Sequence, residues 1–504
     1  MQLSKTILKQ IAMQPGLVIP DLQIFELPEK VLQFGTGVLL RCLPDYFIDK
    51  ANRQGIFNGR VVVVKSTESD STAFARQDGL YTICIRGIEN GKPVQENKIN
   101  ASISRVLNAQ TEWKQILDCA HNAEMKIIIS NTTEVGIQLV EDDITGEPPV
   151  SFPGKLIAFL YERFNFFNGN AASGMIIVPT ELITGNGTKL QSIVLELAHR
   201  NNLDLKFIEW LEKHNTFCNS LVDRIVPGKP NADKMKNLEI ALGYQDELLT
   251  MSEVFCLWAI EGDEKVKKVL SFCNVDEGVV IATDITLFKE LKLRLLNGTH
   301  TFNCGTAFLS GFNITREAVT DKIFSVFIKN MMHHEIAKAI PYGIDTKVIA
   351  DFANKVFERF CNPFIDHQWL SITVQYTSKM KMRNVPLLLR HYETYDTPPM
   401  YMATGFAGFL LFMKVTRKDG NKHFGERSGI EYEIKDDSAG YFYNTWNNKA
   451  DGDTVVEAVM KDVALWDTDL TKLPGLLQAV QKQLVDMMTN GVLDTIAQLE
   501  TKKQ

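Results

Sequence analysis

Through the first half of the chain, short apolar runs alternate with helical stretches. Val31-Leu-Gln-Phe34, Val61-Val-Val-Val64, Lys126-Ile-Ile-Ile-Ser130 and Gly174-Met-Ile-Ile-Val-Pro179 are apolar at nearly every position. That is the pattern of strands covered on both faces, because a half-exposed strand alternates apolar and polar residues. Between them lie a helical run over Val38–Asp49, an amphipathic one around Trp113–Ala123 and another over Gly154–Phe164. Alternation at these lengths predicts βαβ units and a mostly parallel sheet. Residues 80–107, with Tyr81-Thr-Ile-Cys-Ile-Arg86 before a Gly91-Lys-Pro turn, read as a hairpin excursion. From about residue 284 the period changes. The stretches 284–300, 315–338, 345–360 and 475–500 are long and amphipathic, which predicts an all-α second region. Residues 418–450, rich in Gly, Asn, Lys and Asp, read as a long loop or insertion.

With 504 residues the chain is long enough for two cores, and 45% hydrophobic with 23% charged residues is an ordinary globular balance. A net charge of −7 without a dense Lys/Arg block argues against a nucleic-acid partner. No apolar run reaches ~18 residues, so no membrane span is expected. The opening Met1-Gln-Leu-Ser-Lys-Thr6 lacks the apolar core of a signal peptide. The eight cysteines (Cys42, Cys84, Cys119, Cys218, Cys256, Cys273, Cys304 and Cys361) are scattered with no Cys-x-x-Cys pair. Such usage fits packed thiols in a reducing cytoplasm.

Gly35-Thr36-Gly37 closes the first apolar run and opens a helix, the context in which a glycine turn admits a dinucleotide pyrophosphate. Leu40 stands where the third glycine of the usual fingerprint would be. A ribose-binding acid is expected at the end of the second strand, and Glu68 is the candidate. Lys65 and Ser66 suit a 2′-phosphate equally, so NAD and NADP stay open here. Thr133 and Glu134, after the third run, either line a nicotinamide site or start a helix. Glu181-x4-Asn186-Gly187 is a further strand exit whose plain reading is an Asn-Gly turn. Asp223-Arg224 lies among apolar residues and reads by itself as an ion pair.

Lys292-Leu-Arg-Leu-Leu-Asn297-Gly-Thr-His300 sets three chemically capable residues within a leucine-rich helix. At ~100° per residue His300 falls about 80° and Asn297 about 140° from Lys292, on one broad face. A lysine desolvated there loses proton affinity and becomes a general base; one that snorkels remains a cation. His300 and Cys304 stand i, i+4, but no third ligand follows, so no metal is expected. His333-His334-Glu335 reads as a solvated helix face. Lys379, Lys381 and Arg383 form a compact cationic cluster, either a clamp for an anionic substrate or a basic surface turn.

In chain order, these motifs resemble the long-chain mannitol dehydrogenase family of polyol and uronate dehydrogenases. Lys292-x4-Asn297-x2-His300 is the most specific part, and the match spans roughly residues 28 to 400. Asn215–Gly228 looks most like the branch acting between tagaturonate and altronate. The fructuronate branch, a neutral-polyol enzyme and a non-catalytic nucleotide sensor are the alternatives. The resemblance implies a Rossmann-type N-terminal domain at 1–275, an all-α substrate domain at 276–504 and an active site between them. It implies NAD as cofactor and a sugar acid as substrate. Lys292 would be the general acid/base, with Asn186 and Asn297 on the developing alkoxide. His300 would hold a substrate hydroxyl, Asp223 would do likewise or support the lysine, and Lys381 or Arg383 would hold the carboxylate.

Overall fold

The computed structural model describes residues 1–67, 71–132, 136–340, 343–449 and 451–501. The chain divides into two units, Met1–Gly87 with Lys92–Ile285, and Ile88–Gly91 with Thr286–Gln504.

The first unit is built on a six-stranded sheet. In spatial order its strands are Ile103–Asn108, Arg60–Lys65, Glu29–Phe34, Ile127–Ser130, Ile176–Pro179 and Thr216–Phe217. Every neighbouring pair is parallel. Numbered along the chain that order is 3-2-1-4-5-6, the doubly wound dinucleotide-binding arrangement. The apolar runs explain it. Val62 and Val64 join Leu32, Phe34, Ile128 and Ile177 in one core, under the Phe152–Phe166 and Asn186–Arg200 helices. Val61 and Val63 join Val31, Ile127, Ile129 and Val178 in another, under Leu40, Phe47 and Ile48. Successive valines therefore feed opposite faces, and both faces are covered.

The expected hairpin is shorter than 80–107. Tyr81–Glu89 and Lys92–Asn100 are neighbours in a second sheet, joined through Asn90 and Gly91, both at positive φ. Ile103–Asn108 instead edges the main sheet, because Ile103 and Leu107 supply apolar cover there. The unit also runs past residue 275: Val279–Ala282 pairs in parallel with Leu257–Glu261.

The second unit is largely helical, with Thr299–Leu309, Met400–Phe412 and Leu476–Asn490 packed together. The expected loop at 418–450 is ordered. Arg417–Asp419, Lys422–Arg427 and Ile430–Glu433 form a three-stranded antiparallel sheet, followed by the helix Ala439–Asn448. Gly420 and Ser428-Gly429 supply the positive φ that two-residue hairpin turns need. Tyr432 anchors the sheet, stacking on Phe412 at 4.7 Å and donating to its carbonyl at 2.8 Å. Among the described residues no helix is long and apolar enough to cross a membrane, and all eight cysteines are free.

Candidate functional site

In the first unit the chemistry gathers where the strand order reverses, between Glu29–Phe34 and Ile127–Ser130. Gly35 follows the first of these strands at φ +125°. A Cβ there would stand 2.8 Å from the Asn131 carbonyl, so only glycine lets the two strand ends approach so closely. Thr36 is half-buried and Gly37 exposed, with nothing within 4 Å of where its Cβ would be. This open turn leads into the short helix Val38–Cys42, and its residues fit a dinucleotide backbone. Lys65, 2% exposed, donates to the Thr67 carbonyl and ties the loop after the second strand. Glu68, Thr133 and Glu134 lie outside the described residues.

Beneath the turn sits Asp45, fully buried at 0% exposure. Gln33 Nε2 reaches both the Gly35 carbonyl (3.4 Å) and Asp45 Oδ2 (3.3 Å), and the Tyr81 hydroxyl donates to Asp45 Oδ2 at 3.4 Å. Desolvation pushes the Asp45 carboxyl up to about 7, with Gln33, Arg41 and Tyr81 opposing the rise.

Glu181, 3% exposed, had no assigned part, yet it organises the exit of the fourth strand. It accepts from the Thr132 backbone N–H at 2.8 Å, the Thr132 hydroxyl at 3.1 Å and Ser130 Oγ at 3.2 Å. Asn186 is held by backbone groups. Its Nδ2 donates to the carbonyls of Pro179 (3.1 Å), Glu181 (3.0 Å) and Ser220 (3.2 Å). Its Oδ1 accepts from the N–H groups of Gly187 and Ser220, both at 2.9 Å. An amide carries two N–H bonds, and here three carbonyls already share them. In this structure the residue braces loop to strand. Asp223 ends the Ser220–Asp223 strand, buried at 6% exposure. The Arg224 guanidinium donates to the carbonyls of Cys42 and Glu253 and lies 4.6 Å over the Tyr46 ring.

In the second unit Lys292–Gly298 is a π-helical turn continued by Thr299–Leu309. A π-turn closes i→i+5 hydrogen bonds, so the constant step assumed from sequence does not hold. Residues five apart become neighbours on one face, which carries Asn297 towards Lys292 instead of ~140° away. Both are half-buried.

His300 is 7% exposed and stacks on Phe360 at 4.3 Å, with His367 (5.2 Å) and Trp369 (6.0 Å) edge-on. Desolvation drives its pKa well below the usual value, and His367, Arg359, Arg383 and Lys379 push the same way. Its surroundings thus favour the neutral ring, and among the described residues its Nε2 has no hydrogen-bond partner.

The cationic cluster splits in two. Lys381 is not poised for a substrate: its ammonium stands 2.7 Å from Asp467, on the surface. Residues two apart on a helix point to opposite sides, so Lys379 and Arg383 turn the other way. Arg383 Nη1 donates to the Thr301 hydroxyl at 3.2 Å, and Thr301 donates to the Asn297 carbonyl at 2.8 Å. Lys379 donates to the Ile372 carbonyl at 2.9 Å. Among the described residues neither cation is paired with a carboxylate, and burial lowers the pKa of both.

Sequence reasoning missed Arg359 and His367, since nothing in their local patterns marks them. Glu335 is also no solvated face. It is 7% exposed and accepts from the backbone N–H groups of Tyr401 (3.0 Å) and Met402 (2.7 Å), capping the Met400–Phe412 helix. Among the described residues no three His, Cys, Asp or Glu side chains gather as metal ligands.

Residues 29–272 match the model of the mannitol dehydrogenase Rossmann domain, and 284–488 that of the mannitol dehydrogenase C-terminal domain. Altronate oxidoreductase of Cronobacter sakazakii is 36% identical over 481 residues, covering 94% of this chain and 97% of that protein. The Shigella flexneri altronate oxidoreductase is 35% identical with the same coverage, 94% and 97%. Among solved structures, a D-sorbitol dehydrogenase in substrate-free form superposes with TM-score 0.79 at 21% identity, covering 98% of this chain and 100% of that one. Pseudomonas fluorescens mannitol 2-dehydrogenase, in a ternary complex with NAD and D-mannitol, gives TM-score 0.67 at 22% identity over 100% of both chains. At such identities these two show a shared fold.

Proposed function

This chain belongs to the mannitol dehydrogenase family, and on that premise we propose that it interconverts D-tagaturonate and D-altronate with NAD as its cofactor. It is a dehydrogenase acting on CH–OH groups. The observation that carries the substrate is the likeness, along nearly the whole of both chains, to altronate oxidoreductases. The side chains around His300 support the same choice. A uronate differs from a ketohexose by a carboxylate, and Arg383 and Lys379 are half-buried cations with no carboxylate partner among the described residues. NAD is supported by the open Gly35–Gly37 turn and by the complex of the similarly folded mannitol 2-dehydrogenase.

When bound, the reduced cofactor supplies the hydride that the ketone carbon accepts. Lys292 gives the ketone oxygen its proton, and in the opposite direction takes the hydroxyl proton. Asn297 donates to that oxygen as negative charge develops on it. His300, whose surroundings favour its neutral form, binds a substrate hydroxyl. Arg383 holds the carboxylate, its planar fork matching the two oxygens.

The test is NADH oxidation with tagaturonate, fructuronate and fructose at equal concentrations. Tagaturonate should give the highest kcat/KM. A higher value for fructuronate would assign the other hexuronate, and a higher value for fructose would end the uronate reading.

A further inference from the structure

Arg294 stands between Lys292 and Asn297 and has been given no part so far. It is 8% exposed. Its Nε donates to Glu290 Oε2 at 3.0 Å, and its Nη1 to the carbonyls of Met382 at 3.2 Å and Arg383 at 2.8 Å. Those carbonyls belong to a second π-helical turn, Met380–Asn384, which runs into the helix Val385–His391. Pro386 bears on one of the two, the Met382 carbonyl. It has no N–H to offer the Met382 carbonyl four residues earlier, and its ring crowds that oxygen, so the helix opens there. A buried carbonyl without a donor costs as much as a lost hydrogen bond. Arg294 supplies the donor from the turn that carries Lys292. A second strap runs the opposite way, from Asn384 Nδ2 to the Gly298 carbonyl at 3.2 Å.

The two straps join the turn holding Lys292 and Asn297 to the turn holding Arg383. We propose that Arg294 is a positioning residue for substrate recognition: it sets the place of Arg383 relative to Lys292, and so where the substrate carboxylate sits when the ketone meets its proton donor. This rests on the reading of Arg383 as the carboxylate partner. Buried ion pairs are weak sources of stability, so the Glu290–Arg294 pair, with side chains 15% and 10% exposed, makes little sense as a stabiliser alone. A lysine in its place could hold Glu290 but not reach two carbonyls as well.

The experiment is steady-state kinetics on tagaturonate for Arg294→Gln, Arg294→Lys, Arg383→Ala and Arg294→Gln/Arg383→Ala. Arg294→Gln should raise KM by about ten- to a hundredfold, the range of a lost hydrogen bond to a charged group, with kcat within about threefold. Arg294→Lys should not rescue it. On the Arg383→Ala background Arg294→Gln should add less than about twofold, because the two act through one contact. Glu290→Gln/Arg294→Gln removes both buried charges and should repeat the KM effect if the single variant fails to fold. A full effect of Arg294→Gln on the Arg383→Ala background would overturn the proposal, as would a fall in kcat at constant KM. Failure of Arg383→Ala to raise KM would instead remove the carboxylate reading, and the single variant reports that separately.

Discussion

Asn186 and Asn297 are the same residue type, carried the same expected role, and stand in opposite physical situations. Asn186 is 0% exposed and braces a loop through three carbonyls and two backbone N–H groups. Asn297 is half-buried on a π-turn, and it is its backbone carbonyl that takes the Thr301 hydroxyl. A polar side chain serves chemistry only when local structure leaves its donors unspent, and residue type does not reveal that. The two units differ likewise in their buried titratable groups. Asp45 under the glycine turn is driven towards its neutral acid form, and His300 towards its neutral base form. One cause, desolvation, gives opposite signs with pH.

The largest effect should come from the π-turn. Lys292→Ala should lower kcat by about two to four orders of magnitude and leave NADH affinity nearly unchanged, as read by single-turnover kinetics and fluorescence titration. A variant within tenfold of the parent would take Lys292 out of proton transfer.

Substituting the two asparagines breaks the comparison directly. Asn297→Ala should cost a factor of about 10² to 10³ in kcat while the melting temperature barely moves. Asn186→Ala should do the reverse. It strands several buried backbone groups, each worth about 1–3 kcal/mol, so unfolding should come at markedly lower temperature or denaturant. If the folded fraction of Asn186→Ala also lost two orders of magnitude in kcat, the brace would be part of the chemistry after all.

The smallest effects are pH-linked. Folded Asp45 keeps its proton up to about 7, whereas an unfolded carboxyl loses it near 3.8, so its contribution is present at low pH and lost as pH rises between the two. Asp45→Asn should therefore gain stability relative to the parent as pH climbs from about 4 to 7. His300 runs the other way. Its folded pKa lies well below 6.5, so stability is full above that pH and falls as the solution is acidified. His300→Asn should gain on the parent only below about 6.5. Melting curves over pH 5 to 8 read both trends, which run in opposite directions. Parallel trends would refute the opposed charge states.

Much of the fold was legible because burial on both faces writes itself into sequence. Val61–Val64 cannot be a half-exposed strand, and the glycines of Gly35-Thr-Gly37 mark a turn that larger residues would block. The sheet at 417–433 was misread although its Gly-Asn and Ser-Gly turns were present, because charged, exposed strands lack an apolar signal. Lys381 and Arg383 were both candidates for the carboxylate, the arginine preferred for its planar fork, and a half-turn separates an exposed ion pair with Asp467 from a contact beside Asn297.

By itself the sequence determined the parallel sheet and its glycine turn, the change to helices near residue 284, and the presence of Lys292, Asn297 and His300 on one short segment. These follow from interactions between residues close in sequence, so their signal survives without a structure. Tertiary structure alone decided that this segment is a π-turn, that Asn186 is spent on backbone, and that Arg359, His367, Lys379 and Arg383 surround a neutral His300. Those outcomes depend on which distant groups fill each donor and acceptor and on how far water is excluded, and no local pattern carries that information.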